Sequence, residues 1–341
     1  MSSALLLPSL LALVPVLMFL LALQFLDSFK LTQPRWVIAA MLAGALAAGA
    51  SYLVSGALLS RWNIEIGSFS RYVSPVIEEL LKGLLIVVLI RSNRIGFLVD
   101  AAIFGFAVGS GFAVVENIHF LLLAPDASIA TWIVRGFGTA IMHGGTTAIF
   151  AVMGLTMLER ESSERGDSLR GLLPGLALAV LVHSAFNHLS RAPQWATLAV
   201  MIALPALLAA VFQRSEAATR DWLGTGFDSD VQMLELINAG GIADTAVGRY
   251  LHTLRDRFAG PLLADVLCYL RLYTELSLRA KGLLMMRENG FAAELSEEAR
   301  ASVAELRYLE GSIGKTGLRA VRPLLRMSRK ELWQIYMIKA E

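Results

Sequence analysis

Two adjacent glutamates stand inside an otherwise apolar stretch, Pro75-Val76-Ile77-Glu78-Glu79-Leu80-Leu81-Lys82. A charged side chain at mid-bilayer costs about 2.5–3.5 kcal/mol on insertion scales, so an ionisable group in such a stretch marks a functional site by default. Glu78 and Lys82 stand at i,i+4, a spacing at which they can neutralise one another along one helix face. Glu79 then points about 100° away, as 3.6 residues per turn dictates, free to face a different partner. Further on, Phe112-Ala113-Val114-Val115-Glu116-Asn117-Ile118-His119 places Glu116 and His119 on one face at i,i+3, a spacing that can present two ligands to one metal. His119 is read as solvated near the headgroups, and Glu116 as buried. His143 follows in Ile141-Met142-His143-Gly144-Gly145-Thr146-Thr147, where small neighbours leave room beside the ring, and His183 shares a face with Asn187 at i,i+4. A lone membrane histidine is often only hydrogen-bonded to a neighbouring helix. Two histidines on separate spans beside three glutamates point instead to a site.

The elements that carry these residues read as membrane helices. The chain has 341 residues and is 56% hydrophobic, above the roughly 45–50% of soluble domains. Seven stretches match the length needed to cross a bilayer, at about 4–26, 36–59, 72–90, 97–123, 131–158, 171–190 and 193–213. The first is longer than a signal-peptide core and has no Lys or Arg before it, so it is read as a retained span. Gly105 with Gly109, and Gly171 with Gly175, recur at the four-residue spacing that lets helix backbones approach closely. Residues 214–341 hold 18 Lys and Arg and 17 Asp and Glu, more than half of all the charge. The expected architecture is therefore all-α: a polytopic transmembrane bundle over residues 1–213, then a helical domain over 214–341. In the latter, 261–287 and 293–309 alternate apolar and charged residues at helical spacing, and Gly260, Gly311 and Gly314 punctuate them. That domain carries no catalytic motif, metal cluster or nucleotide loop, and is read as regulatory or interacting.

The net charge of +2 and the lack of a basic run with interleaved aromatics exclude a nucleic-acid partner. The single cysteine, Cys268, excludes an intramolecular disulfide framework. With the N-terminus outside, the inner loops carry Lys30, Arg35, Arg91, Arg94, Arg160, Arg165, Arg170, Arg214 and Arg220. The outer ones carry only Arg61, Arg71, Arg135 and Arg191. This bias places the C-terminal domain in the cytoplasm. On that topology the helix rise puts Glu78, Glu79, Glu116 and His183 about 10 Å below the outer surface, and His143 ~18 Å below it. Unrelated polar groups would scatter in depth; these gather in the outer half.

Taken together, these residues resemble the PrsW family of membrane proteases, related to the CAAX prenyl endopeptidase and bacteriocin-immunity group. The matching pieces are Glu-Glu-x-x-Lys at Glu78, Glu79 and Lys82, Phe-x-x-x-Glu-Asn at Phe112, Glu116 and Asn117, His143, and His-x-x-x-Asn at His183 and Asn187. They cover roughly residues 70–190 in family order. Glutamate at 116 and lysine at 82, where the wider group often has histidine and arginine, point toward PrsW. The resemblance implies endoproteolysis of a single-pass, membrane-anchored substrate on its outer side, with anti-sigma factors as the associated substrate class.

Peptide hydrolysis needs an activated water, a stabilised oxyanion and a proton for the leaving amine. A buried glutamate suits the base and proton-shuttle role; Glu79 is the expected base and Glu78 the residue held by Lys82, though the two could exchange. His143 and His183 could bind Zn²⁺ with Glu116 as third ligand, leaving a fourth position for water, and Asn187 would donate to the oxyanion. The same residues could instead hold a water between glutamate and histidines without a metal. A proton- or ion-coupled transporter is the alternative class, since it too gathers intramembrane carboxylates and histidines. Such carriers typically show repeated halves around a midplane site, whereas no internal repeat is found and the cluster sits off-centre.

Overall fold

The computed structural model describes residues 3–62, 64–162, 169–255, 258, 260–291, 295–321, 324–325 and 329–340. No strand occurs among them, and the chain forms two compact units, residues 1–216 and 217–341. The first is built from α1 (Ser3–Leu26), α2 (Pro34–Trp62), α3 (Ser74–Arg91), α4 (Leu98–Leu123), α5 (Ile141–Ser162), α6 (Leu173–His188) and the start of α7 (Pro193–Asn238). Arg165, one of the expected inner-loop charges, lies outside the described residues.

Among the described residues, six stretches are long and apolar enough to cross a membrane: Leu5–Leu26, Pro34–Trp62, Leu98–Leu123, Ile129–Glu159, Arg170–Arg191 and Pro193–Asn238. The remaining predicted span, about 72–90, forms α3, which stands apart from these six because it carries Glu78, Glu79, Lys82 and Arg91 within 18 residues. On α1 and α2 the large side chains turn outward, with Leu6, Leu21, Phe25, Leu46 and Leu53 all exposed; facing lipid, such residues need no protein partner. α4 is the opposite case. It is buried on every side from Val99 to Ala113, as expected of a helix that is apolar all round and sits at the centre of a bundle.

Small residues make that central position possible. Gly111 packs against the backbone of Met41 on α2, and Gly105 against Ala148 on α5. At Gly109 a Cβ would collide with the carbonyl of His143, so this glycine sets how closely α5 approaches and hence where His143 stands. Two π-helical turns flank the region, Phe69–Val73 leading into α3 and Val134–Ala140 leading into α5. Such turns recur near functional sites because they re-aim the side chains that follow.

α7 starts with Pro193 at its first position, after a 3₁₀ turn at Leu189–Arg191, the place where a missing N–H costs least. It does not stop at 213, where the apolar stretch ends. Residues 214–220, Arg-Ser-Glu-Ala-Ala-Thr-Arg, change polarity without a glycine or proline to break the helix. The second unit adds α8 (Ala246–Leu254), α9 (Gly260–Glu288), α10 (Glu297–Val321) and α11 (Arg329–Ala340). The predicted stretch 261–287 corresponds to α9; the first residues of the predicted stretch 293–309 lie outside the described ones. α10 is broken at Gly314, whose φ of 66° is one that glycine adopts freely. Within this unit Lys281 is buried and meets Asp230 at 2.5 Å and Ser277 at 2.9 Å.

Candidate active site

One end of the first unit brings together side chains from α3, α4, α5 and α6. Glu78 lies one turn into α3, where Ser74 Oγ donates to its Oε1 at 2.5 Å. Its other oxygen, Oε2, is buried without a hydrogen-bond partner. That oxygen lies 3.9 Å from His143 Nδ1 and 3.8 Å from His183 Nε2. The two imidazole rings meet edge to face, 4.8 Å between centroids.

Glu79 turns the other way and is almost fully buried. Its Oε1 receives Lys82 Nζ at 2.6 Å, His183 Nδ1 at 2.8 Å and Thr146 Oγ1 at 3.1 Å. The expected pairing of Lys82 with Glu78 is therefore corrected: Lys82 pairs with Glu79 at i,i+3. Both spacings are within a lysine's reach, and tertiary neighbours decide between them. Lys82 Nζ sits 3.1 Å from His143 Nδ1 and over the Phe112 ring at 4.9 Å, while Glu78 is taken by Ser74.

These contacts assign the tautomers. A carboxylate can only accept, so His183 Nδ1 carries the proton and Nε2 keeps a lone pair toward Glu78. An ammonium can only donate, so His143 Nδ1 accepts from Lys82 and its Nε2–H faces Glu116. Glu116 Oε2 lies 2.8 Å from that nitrogen, a close contact not aligned as a hydrogen bond. Glu116 Oε1 receives Arg135 Nη2 at 3.1 Å, and Arg135 Nε donates to Asn117 Oδ1 at 2.9 Å. Asn117 in turn donates its amide to the Ala12 carbonyl of α1 at 2.7 Å, so α1 is tied into the site through one asparagine.

A cavity of about 460 Å³ opens on this cluster, bordered by Glu78, Glu116, Arg135, His143, His183 and Asn187. Glu79 and Lys82 are not among its lining residues. Asn187 reaches the cavity while its Nδ2 donates to the Ser70 carbonyl at 2.9 Å. His119 is exposed and packs its ring on Tyr52, 4.5 Å between centroids, and is not among the residues lining the cavity.

The donor set fits a metal ion. Glu78, His143 and His183 each offer one ligand atom, and these atoms lie within 4.8 Å of one another; the His143 nitrogen toward Glu78 is Nδ1, whose lone pair an ion would take over from Lys82 Nζ. Imidazole nitrogen and carboxylate oxygen are the ligands a divalent zinc-like ion takes, and the unspent Oε2 of Glu78 is the buried atom such an ion would satisfy. Glu116, the expected third ligand, meets His143 but is tied through its other oxygen to Arg135.

Sequence reading passed over Thr146 and Arg135. Thr146 was visible only as a small neighbour of His143. Arg135 was counted as an outer-loop charge, although its place in Trp132-Ile133-Val134-Arg135-Gly136 marks it by the same burial-cost rule that singled out Glu79.

The PrsW family of intramembrane metalloproteases matches residues 32–211, the interval that contains every candidate site residue from Glu78 to Asn187. No curated protein and no solved structure matches the chain. The match does not favour the transporter alternative, and with six membrane-length apolar helices the chain is a multi-pass membrane protein. Since the matched interval covers more than half of the sequence, the chain belongs to the PrsW family of intramembrane metalloproteases.

Proposed function

We propose that the protein is an endopeptidase for single-pass, membrane-anchored proteins, with Glu78, His143 and His183 holding a zinc ion and Glu116 acting as the base. The observation that carries this reading is Glu78 Oε2, buried without a hydrogen-bond partner and 3.8–3.9 Å from a nitrogen of each histidine. A buried carboxylate oxygen left in that state is costly unless a cation or donor completes it. When bound, the ion supplies Lewis acidity to the scissile carbonyl.

The protein's own groups divide the remaining work. Glu79 accepts a hydrogen bond from His183 Nδ1–H and so leaves Nε2 aimed at Glu78, the arrangement by which carboxylates orient ligating histidines. Lys82 neutralises Glu79. Glu79, expected from the sequence to be the base, suits this orienting role better, because its oxygen is already shared by three donors behind the cavity wall. Glu116 borders the cavity, its Oε2 2.8 Å from His143 Nε2. It takes a proton from the attacking water, whose oxygen bonds to the carbonyl carbon; as the C–N bond breaks, Glu116 returns the proton to the leaving nitrogen. Asn187 gives one amide hydrogen to Ser70 and keeps a second for the oxyanion.

The loop bias in Lys and Arg supports an outside N-terminus and a cytoplasmic C-terminal unit, which sets this end of the bundle toward the outer face. An anti-sigma factor cut on its outer side is the substrate class the family resemblance suggests. The test is comparative membrane proteomics of cells carrying wild-type, Glu116→Gln or His183→Ala protein at matched abundance. A membrane protein shortened only with wild type supports the reading. Equal shortening in all three strains would sink it.

A further inference from the structure

We infer that the substrate chain runs from the catalytic cavity into a second, adjoining cavity as an extended, non-helical segment on one side of the scissile bond; this rests on the proteolytic reading above. The second cavity measures about 510 Å³ and lies between residues 130–139 and the junction of α6 with α7. Ser70, Arg135, Thr139 and Asn187 border both cavities, so the second begins where a chain seated at Glu78 and His183 leaves the first.

Chemistry selects an extended occupant. In a helix each carbonyl is shielded and satisfied by its own i+4 N–H, so hydrolysis requires the segment to open. Opened backbone needs partners, and lipid supplies none. The shared wall offers them: hydroxyls from Ser70 and Thr139, the Asn187 amide and the Arg135 guanidinium. Beyond it the second cavity has an apolar side formed by Val134, Phe186 and Pro193. Gly138 lies directly against the Phe186 ring, where a Cβ would approach to 3.2 Å, fixing that side in place. Polar atoms for the substrate backbone beside apolar surface for alternate side chains is the usual division in recognition of extended peptides. The cavity therefore sets a preference for an apolar residue on one side of the cut.

The probe is a library of peptides, each with an apolar span of about 20 residues and a randomised flank, presented to the full-length protein in proteoliposomes and sequenced at the cut. Phe186→Ala enlarges the apolar side and Ser190→Trp fills the cavity from its exposed rim. Phe186→Ala is expected to shift the profile toward larger apolar residues on one side of the cut by roughly 10-fold or more, the scale at which hydrophobic pockets discriminate. Ser190→Trp is expected to lower kcat/KM about 10-fold, chiefly through KM. Leu122→Ala, on the lipid-exposed surface, should leave the profile as in wild type. An unchanged profile in Phe186→Ala together with an unchanged kcat/KM in Ser190→Trp, with the wild type active, overturns the inference alone. A wild type that cuts no peptide in the library overturns the proteolytic reading and the inference with it.

Discussion

His183 Nδ1 lies 2.8 Å from Glu79 Oε1, and that one contact fixes which of the ring's nitrogens is left for the cavity. The proton must sit on Nδ1, so Nε2 presents a lone pair toward Glu78, and the two adjacent glutamates of α3 acquire different roles. One serves the cavity, the other stands behind the histidine that faces it.

Glu79→Gln is expected to weaken divalent-metal binding about 10–100-fold, the usual cost of removing a carboxylate behind a ligating histidine. Competition with a chromophoric chelator, on protein purified at wild-type abundance, measures this. Affinity within twofold of wild type would show that Glu79 does not orient His183.

Lys82→Met leaves Glu79 buried beside a neutral partner and is expected to destabilise the protein by about 3–5 kcal/mol, the range for breaking a buried pair from one side. The double variant Lys82→Met/Glu79→Gln removes the stranded charge as well and should recover part of that loss. Denaturant titration in micelles gives both values. A double variant as unstable as the sum of the two single ones would mean that the pair is not coupled.

Gly109→Ala drives a methyl into the His143 carbonyl. The expected stability cost is about 1–3 kcal/mol, while displacement of His143 should lower kcat about 100-fold. Gly49 has nothing within 4 Å of the added Cβ, so Gly49→Ala on the neighbouring helix should match wild type in both respects. Equal kcat for the two variants contradicts the role given to Gly109.

Arg135→Lys keeps the charge but cannot hold Glu116 and Asn117 at once in the fixed fork of a guanidinium. Its expected effect is a fall of roughly 10-fold or more in kcat from a mis-set base, with metal content unchanged. Loss of metal from this variant would place Arg135 in support of the ligands instead.

Much of this site was legible because lipid makes ionisable residues expensive. Glu78, Glu79, Lys82, Glu116, His143 and His183 stood out from apolar surroundings, and helix rise put Glu78, Glu79, Glu116 and His183 at about 10 Å and His143 at ~18 Å below the outer surface. What spacing left open was decided by other helices. Lys82 can reach back three residues or four, and Phe112 and His143 draw it to Glu79. The position of Glu116 beside Arg135 depends on a π-helical turn at Val134–Ala140, which no residue spacing marks. α3 is set apart from the other spans by its charged residues, three of which, Glu78, Glu79 and Lys82, belong to the site itself. α7 runs past residue 213 because polarity changed there while helix propensity did not.

The division between Glu78 as ligand and Glu116 as base is tested most directly by metal stoichiometry beside cleavage in two purified variants. Glu78→Gln is expected to lose bound zinc and activity together, whereas Glu116→Gln should keep wild-type zinc and lose about 100-fold or more in kcat. Zinc retained by Glu78→Gln, or lost from Glu116→Gln, would contradict the assignment.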